Sequence, residues 1–239
     1  MSEPDPLAGH TALVTGASRG IGRAIAVALA EQGARVRAMA RTADALERLA
    51  TEHGAEPIVA DLADDVAVWS ALDELMERDG GPPDLIVNAA GVFGIEAVAH
   101  ETVKSFDAHL AINLRAPFLV IRSLLPAMLE RGSGLIVNVG SVAGRKTFPG
   151  NAAYSASKFG LRGLHQVLVE ELRGTGVRAS LVEPASTDTE LWDPHDPDSD
   201  PLLPDRADML ASTDVAAAVV FLATRPPGVT VPVLQVERG

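Results

Sequence analysis

Thr11-Ala-Leu-Val-Thr-Gly-Ala-Ser-Arg-Gly-Ile-Gly22 is the stretch on which the fold turns. Its first five residues read as a short buried strand, and Ile21 opens a helical pattern that runs to Glu31. Between them, glycines at 16, 20 and 22 permit a tight turn and let an anionic group approach the backbone. They also aim the N-terminus of the next helix, with its unpaired N–H groups, at that group. Such a turn can be purely structural. This spacing, directly after a first strand, points instead to a dinucleotide pyrophosphate.

The rhythm that starts there continues to the end of the chain. Ala34 to Ala40 reads as a strand, and Ala43 to Glu52 as a helix with Leu46, Leu49 and Ala50 on one face. Pro57 to Ala60 is a strand, and Asp64 to Glu77 a helix capped by the Asp64-Asp65 pair. Asp84 to Asn88, Gly134 to Val139, Val177 to Val182 and Val231 to Val236 are further strands. Helices fall at Val103 to Leu129, with Pro117 and Pro126 as irregularities, at Ala152 to Leu172 and at Asp214 to Ala223. Seven unbroken apolar strands alternating with helices predict one α/β domain over residues 1–239: a doubly wound parallel sheet with helices on both faces. The rhythm breaks at Glu183 to Asp208, which holds nine acids, five prolines and one arginine, Arg206. An insertion of that kind after a strand is expected to be a substrate lid, at about 184–210, or a disordered excursion.

Composition removes whole classes of function. An apolar fraction of 47% is too high for a disordered chain. The absence of cysteine excludes a disulfide framework and thiolate metal sites, suits a reducing cytoplasm, and leaves no metal site expected. A formal net charge of −12 argues against nucleic acid or an anionic membrane as partner. Apolar runs such as Ala24 to Ala30 fall far short of the roughly 20 residues that span a bilayer. The opening Met-Ser-Glu-Pro-Asp has neither the basic nor the apolar segment of a signal peptide. Two scarcities are more telling. Of 20 basic residues only Lys104, Lys146 and Lys158 are lysine, and the one tyrosine, Tyr154, precedes Lys158 by four positions.

In an open parallel sheet, ligands bind beyond the carboxyl ends of the strands. Five clusters of special residues follow strands here: Thr15 to Gly22, Asp61, Asn88 to Gly91, Ser141, and Glu183 to Thr189. Tyr154 and Lys158, at i and i+4, share a helix face. A phenol titrates at ~10, so acid/base work near neutrality needs a drop of roughly 3 units, about 4 kcal/mol. A unit cation ~4 Å away at an effective dielectric of ~20 supplies about 4 kcal/mol. One lysine a turn away is therefore about sufficient. An incidental surface pair is the alternative.

The glycine pattern, Asn88-Ala-Ala-Gly91, and Ser141 placed thirteen residues before Tyr154-Ser-Ala-Ser-Lys158 together resemble the short-chain dehydrogenase/reductase family, over about Leu7 to Val236. The resemblance implies an NAD(P)-dependent oxidoreductase that moves a hydride between nicotinamide and a carbonyl or secondary alcohol. It implies that Ser141 donates to the substrate oxygen, Tyr154 passes it a proton, and Lys158 lowers the tyrosine's pKa and holds the ribose hydroxyls. Asn113, in Ala111-Ile-Asn-Leu114, matches the family's helix asparagine that anchors a proton-relay water; an asparagine bonding to backbone is the alternative. The cofactor would rest on Gly16, Ser18, Arg19, Gly20, Ile21 and Gly22, with Asp61 and Leu62 at the adenine and Asn88, Ala90 and Gly91 under its ribose. Asp61 could instead cap the next helix. Pro184, Thr187 and Thr189 would meet the nicotinamide carboxamide.

The second strand ends Met39-Ala40-Arg41, without the acid that NAD readers place there for the ribose 2′-OH. From Gly16 to Arg48 there are six arginines against three acids, a local excess of three. Arg19 and Arg41 would suit a 2′-phosphate, so NADP(H) is expected over NAD(H). Departures from the family pattern are also visible. Ala89 stands where the family has a second asparagine, and Ala185 replaces a glycine, which would be strained if the backbone there needs positive φ. The tail Thr230 to Glu237 lacks the frequent Val-Asp-Gly-Gly ending. Phe93, Gly94, Ile95, Arg145, Lys146, Phe148, Leu191 and Trp192 should line the substrate pocket, and a small neutral or hydrophobic carbonyl is favoured. A 3-oxoacyl-carrier-protein reductase and a non-catalytic NADP(H) sensor are the alternatives, the former opposed by the acidic lid. Family habit implies a homotetramer, then a dimer, for which Phe118, Leu125, Leu161 and Leu168 of the long helices would serve, unless they belong to the core.

Overall fold

A computed structural model describes residues 5–239. Strands β1 (Thr11–Thr15), β2 (Arg35–Ala40), β3 (Glu56–Val59), β4 (Leu85–Asn88), β5 (Gly134–Val139) and β6 (Val177–Pro184) alternate with helices α1 (Gly20–Glu31), α2 (Ala43–His53), α3 (Asp65–Asp79), α4 (Val103–Leu110), α5 (Ala116–Arg131) and α6 (Ala152–Glu171). Two-residue strands β7 (Thr187–Asp188) and β8 (Leu210–Ala211), helix α7 (Ser212–Ala223) and strand β9 (Val233–Val236) complete the chain. The main sheet is wholly parallel, in the order β3-β2-β1-β4-β5-β6-β9. This is the single-domain Rossmann fold expected from the strand rhythm.

The strands read as unbroken apolar runs because both faces of the sheet are covered. In β1, Ala12 and Val14 join the core formed with Ile25 and Leu29 of α1 and Val219 of α7, while Leu13 joins the opposite core with Leu72 of α3 and Leu124 of α5. The same alternation holds in β4, where Leu85 and Val87 face one core and Ile86 the other. Strand order reverses between β1 and β4, and the crevice at their carboxyl ends is where such a sheet receives ligands.

Helices α4 and α5 are one continuous stretch joined by a π turn, Ala111–Arg115. Pro117, in the first turn of α5, has no N–H to offer the Asn113 carbonyl, and the ladder shifts register at that point. By length and composition this stretch, Val103–Arg131, could cross a membrane, its most apolar window having a mean hydropathy of 1.3. Here it is a core element, with Val120, Leu124 and Met128 fully buried.

Three points that the sequence leaves open are decided here. Leu161 and Leu168 belong to the core, being 1% and 4% exposed, and Leu125 is half-buried against it; of the expected interface residues only Phe118 is exposed. A helix-face pattern alone does not say which face meets the sheet. Ala185 carries no strain: among the described residues Asp196 alone combines a side chain with positive φ, and Ala185 instead donates its N–H to the Val236 carbonyl, tying the root of the lid to β9. Finally, the acidic insertion after β6 is a built segment. Its ends pair as β7 and β8, and short 3-10 turns fill the span between them.

Candidate active site

At the carboxyl end of β1 the glycine turn is dictated by contact. Gly16 has φ 71°, and a Cβ on it would lie 2.6 Å from the Ala90 Cα in the loop after β4. A Cβ on Gly22 would overlap the Gly16 carbonyl. Thr15 fastens the two loops, its hydroxyl accepting from the N–H groups of Ala89 and Ala90 at 3.2 and 3.3 Å. Arg19 stands at the N-cap of α1 without a side-chain cap, so the first-turn N–H groups of the helix are left for a ligand. These residues form one end of a cavity of about 1050 Å³ that crosses the strand ends to Tyr154 and Lys158.

Nearly all the expected cofactor residues line this cavity: the glycine turn with Ser18, Arg19 and Ile21, then Arg41, Asp61, Leu62, Ala90, Gly91, Pro184, Thr187 and Thr189. Asn88 does not. Its carboxamide is 2% exposed and donates to Asn138 Oδ1 at 2.9 Å, joining the centres of β4 and β5. Asp61 is not the helix cap: it accepts from the Ala63 N–H, while Asp64 caps α3 through Val66 and Ala67.

The local arginine excess resolves into separate jobs. Arg37 lies buried against Asp79 in a bidentate pair at 2.8 and 2.9 Å, and Arg23 pairs with Glu52. Arg19 and Arg41 remain as the two that line the cavity, and neither forms an ion pair among the described residues. A glycine cradle, an uncapped helix N-terminus and two available guanidinium groups fit an extended, multiply charged nucleotide.

At the other end, Ser141 follows β5, and Tyr154 and Lys158 project from the first turns of α6. Burial pushes the phenol above its ordinary value, opposed by a hydrogen bond with Ser141. The Lys158 ammonium donates to the Val139 carbonyl at 2.9 Å and lies 5.7 Å from the centre of the tyrosine ring. The spacing argument gave this ammonium control of the phenol's titration. In the structure desolvation dominates both groups, and the lysine is pulled down to about 8. The phenol therefore holds its proton, as a donor to a carbonyl oxygen must.

Asn113 is fully buried behind the wall and acts as a clamp. Its Nδ2 donates to the Val92 carbonyl at 2.9 Å and to Ser157 Oγ at 3.0 Å, while its Oδ1 accepts from the Val92 N–H at 2.9 Å. Ser157 in turn donates to the Tyr154 carbonyl at 2.7 Å. The asparagine thus ties the loop after β4 to the helix that carries the tyrosine.

Of the expected pocket residues, Phe93, Ile95, Phe148, Leu191 and Trp192 line the cavity; Gly94, Arg145 and Lys146 do not. Arg145 turns toward Glu237 and the buried Glu183, which it shares with Arg162. Three residues that motif reading did not single out complete the region. Arg206 holds the lid together, bonding Asp188 at 2.5 Å, Asp193 at 2.6 Å and, through its own N–H, Asp198 at 2.7 Å. Its signal was its isolation as the single cation in an acidic run. Asn151 lines the cavity one turn before Tyr154, and His195 packs its ring against Phe93.

A family profile described as short chain dehydrogenase matches residues 10–200. The chain is 38% identical over 227 residues to a D-threitol dehydrogenase of Mycolicibacterium smegmatis, covering 91% of this chain and 87% of the relative. It is also 38% identical to the 2-(R)-hydroxypropyl-CoM dehydrogenase of Xanthobacter autotrophicus, covering 90% and 91% of the two. Among solved structures, a metagenomic short-chain oxidoreductase in complex with NADP superposes with a TM-score of 0.83 at 35% identity, covering 98% of this chain and 99% of that one. The chain belongs to the short-chain dehydrogenase/reductase family. It is an NAD(P)-dependent oxidoreductase of alcohols and carbonyls, which sets aside the sensor alternative.

Proposed function

We propose that the chain is an NADP(H)-preferring reductase of small uncharged ketones or aldehydes, or the dehydrogenase of the matching secondary alcohols, with Tyr154 as its proton donor. One observation carries the reading: Ser141, a protonated Tyr154 and Lys158 share one end of the cavity that has Arg19 and Arg41 at the other. The cofactor would supply a hydride to the carbonyl carbon. Ser141 fixes the carbonyl oxygen by a hydrogen bond, and Tyr154 transfers its phenolic proton to that oxygen as negative charge develops. Lys158, positive below about pH 8, stabilises the resulting phenolate and holds the ribose hydroxyls. Oxidation of the alcohol runs these steps in reverse, and Asn113 positions Tyr154 through Ser157.

Preference for the phosphorylated cofactor rests on Arg19 and Arg41, on the lack of an acid at the end of β2, and on the NADP held by a structural relative. The test is kcat/KM with NADPH and NADH on one carbonyl substrate. NADPH is expected to win by at least about tenfold, and Arg41→Ala to erase most of that margin; equal constants for the two cofactors would refute the preference. A homotetramer, with a dimer next, belongs to the same reading. Phe118 and Phe159, 44% and 43% exposed on the outer sides of α5 and α6, support it, and a monomer by light scattering would contradict it. A cytoplasmic setting also belongs to this reading, in keeping with the cysteine-free sequence.

A further inference from the structure

Beyond Tyr154 the cavity ends among aromatic rings drawn from three separate segments. Phe93, in the loop after β4, stands edge-on to Tyr154 with ring centres 5.0 Å apart and planes at 85°. From the lid, Trp192 packs on it at 4.8 Å and His195 at 5.2 Å. Exposed Phe148 lies on the same cavity wall.

The charges at this end are as informative as the rings. Arg145 is engaged by Glu183 and Glu237, and Lys146 lies on the exposed surface outside the cavity. Burial holds the His195 imidazole below its ordinary range, so it carries no charge at neutral pH. Of the lid carboxylates on the wall, Glu190 lies beside Gly20 at the cofactor end, and Asp200 is the other. Among the described residues Lys158 is the one cation on the wall at this end, and the Val139 carbonyl engages it, so none is left free for an anionic substrate. A polyol fares poorly for another reason: its several hydroxyls would lose water against rings that return few hydrogen bonds.

From the rings around Phe93 and the want of a free cation beside them we infer that the substrate is an uncharged aryl ketone, or its secondary alcohol. The inference rests on the carbonyl-reductase reading. In reduction the aryl carbonyl carbon gains the hydride and its oxygen the Tyr154 proton, giving the alcohol and the oxidised cofactor.

The test is NADPH-dependent reduction of matched probes by the whole enzyme: acetophenone, methyl phenylglyoxylate, free phenylglyoxylate and erythrulose. The neutral ester is expected to exceed the free acid in kcat/KM by at least about a hundredfold, and the aryl ketones to exceed erythrulose by a similar factor. Phe93→Leu, which keeps bulk but removes the ring stack, should raise KM for aryl ketones several-fold more than for erythrulose. A preference for erythrulose or the free acid, or equal KM shifts for the two substrate classes in Phe93→Leu, overturns the inference while leaving the reductase intact. Failure to reduce any probe with NADPH or NADH sinks the inference and the reductase reading together.

Discussion

The two ends of the one cavity are built on opposite principles. The cofactor end is backbone: Gly16 pressed on Ala90, Gly22 on Gly16, and a helix N-terminus without a side-chain cap. The substrate end is side chain: rings around Phe93, and a lid pinned by Arg206 between Asp188 and Asp193. Backbone packed on backbone cannot yield to a new atom, so the first end is fixed in shape. Exposed ion pairs are individually weak and screened by salt, so the second can open and close. The difference assigns recognition of an invariant cofactor to the rigid half and of a variable substrate to the adaptable half.

The comparison is broken most severely by Gly22→Ala. Its new Cβ would displace the Gly16 carbonyl, and fluorescence titration should show NADPH affinity falling by more than about a hundredfold, or the folded enzyme failing to accumulate. Affinity within threefold of wild type would mean that the turn is not rigid.

The joint between the halves is probed by pH. Tyr154 is raised by burial above its ordinary value, whereas Lys158 loses its charge through about pH 8. The kcat/KM for reduction should be level below that value and fall about tenfold per unit well above it. A profile level to pH 10 would free the lysine from any role. The sign for stability is opposite. Because the folded lysine titrates below its ordinary 10.5, the unfolded chain binds more protons between the two values, and this group's contribution to stability rises with pH across that window.

The smallest effect belongs to the lid. Arg206→Met, which removes the partners of Asp188 and Asp193, should raise substrate KM about fivefold with kcat changed less than twofold. Wild-type KM should drift upward with added salt while the variant's does not; identical salt responses would show that Arg206 does not hold the lid.

What could be read from sequence follows the same divide. The glycine turn, the strand alternation and the Tyr154–Lys158 spacing are local facts, fixed by dihedral freedom and by the pitch of a helix. What escaped reading depends on residues brought together from afar: Arg206 on Asp188, eighteen positions back; Glu183 between Arg145 and Arg162; Asn113 on Val92 and Ser157. Asn88 and Asn113 were found by motif and placed correctly along the chain, yet both lie behind the wall, because a motif gives position and not the direction of a side chain. Leu161 and Leu168 were open between interface and core for a like reason, since helical periodicity marks an apolar face without saying what covers it.

The central claim is that the Tyr154 phenol gives its proton to the substrate oxygen as hydride arrives. Single-turnover oxidation of bound NADPH by a carbonyl substrate, followed by absorbance in wild type and Tyr154→Phe, tests it most directly. The account predicts that the variant still binds NADPH while its hydride-transfer rate falls by at least about a hundredfold, the range a positioned general acid commands. A variant that transfers hydride within tenfold of the wild-type rate would contradict it.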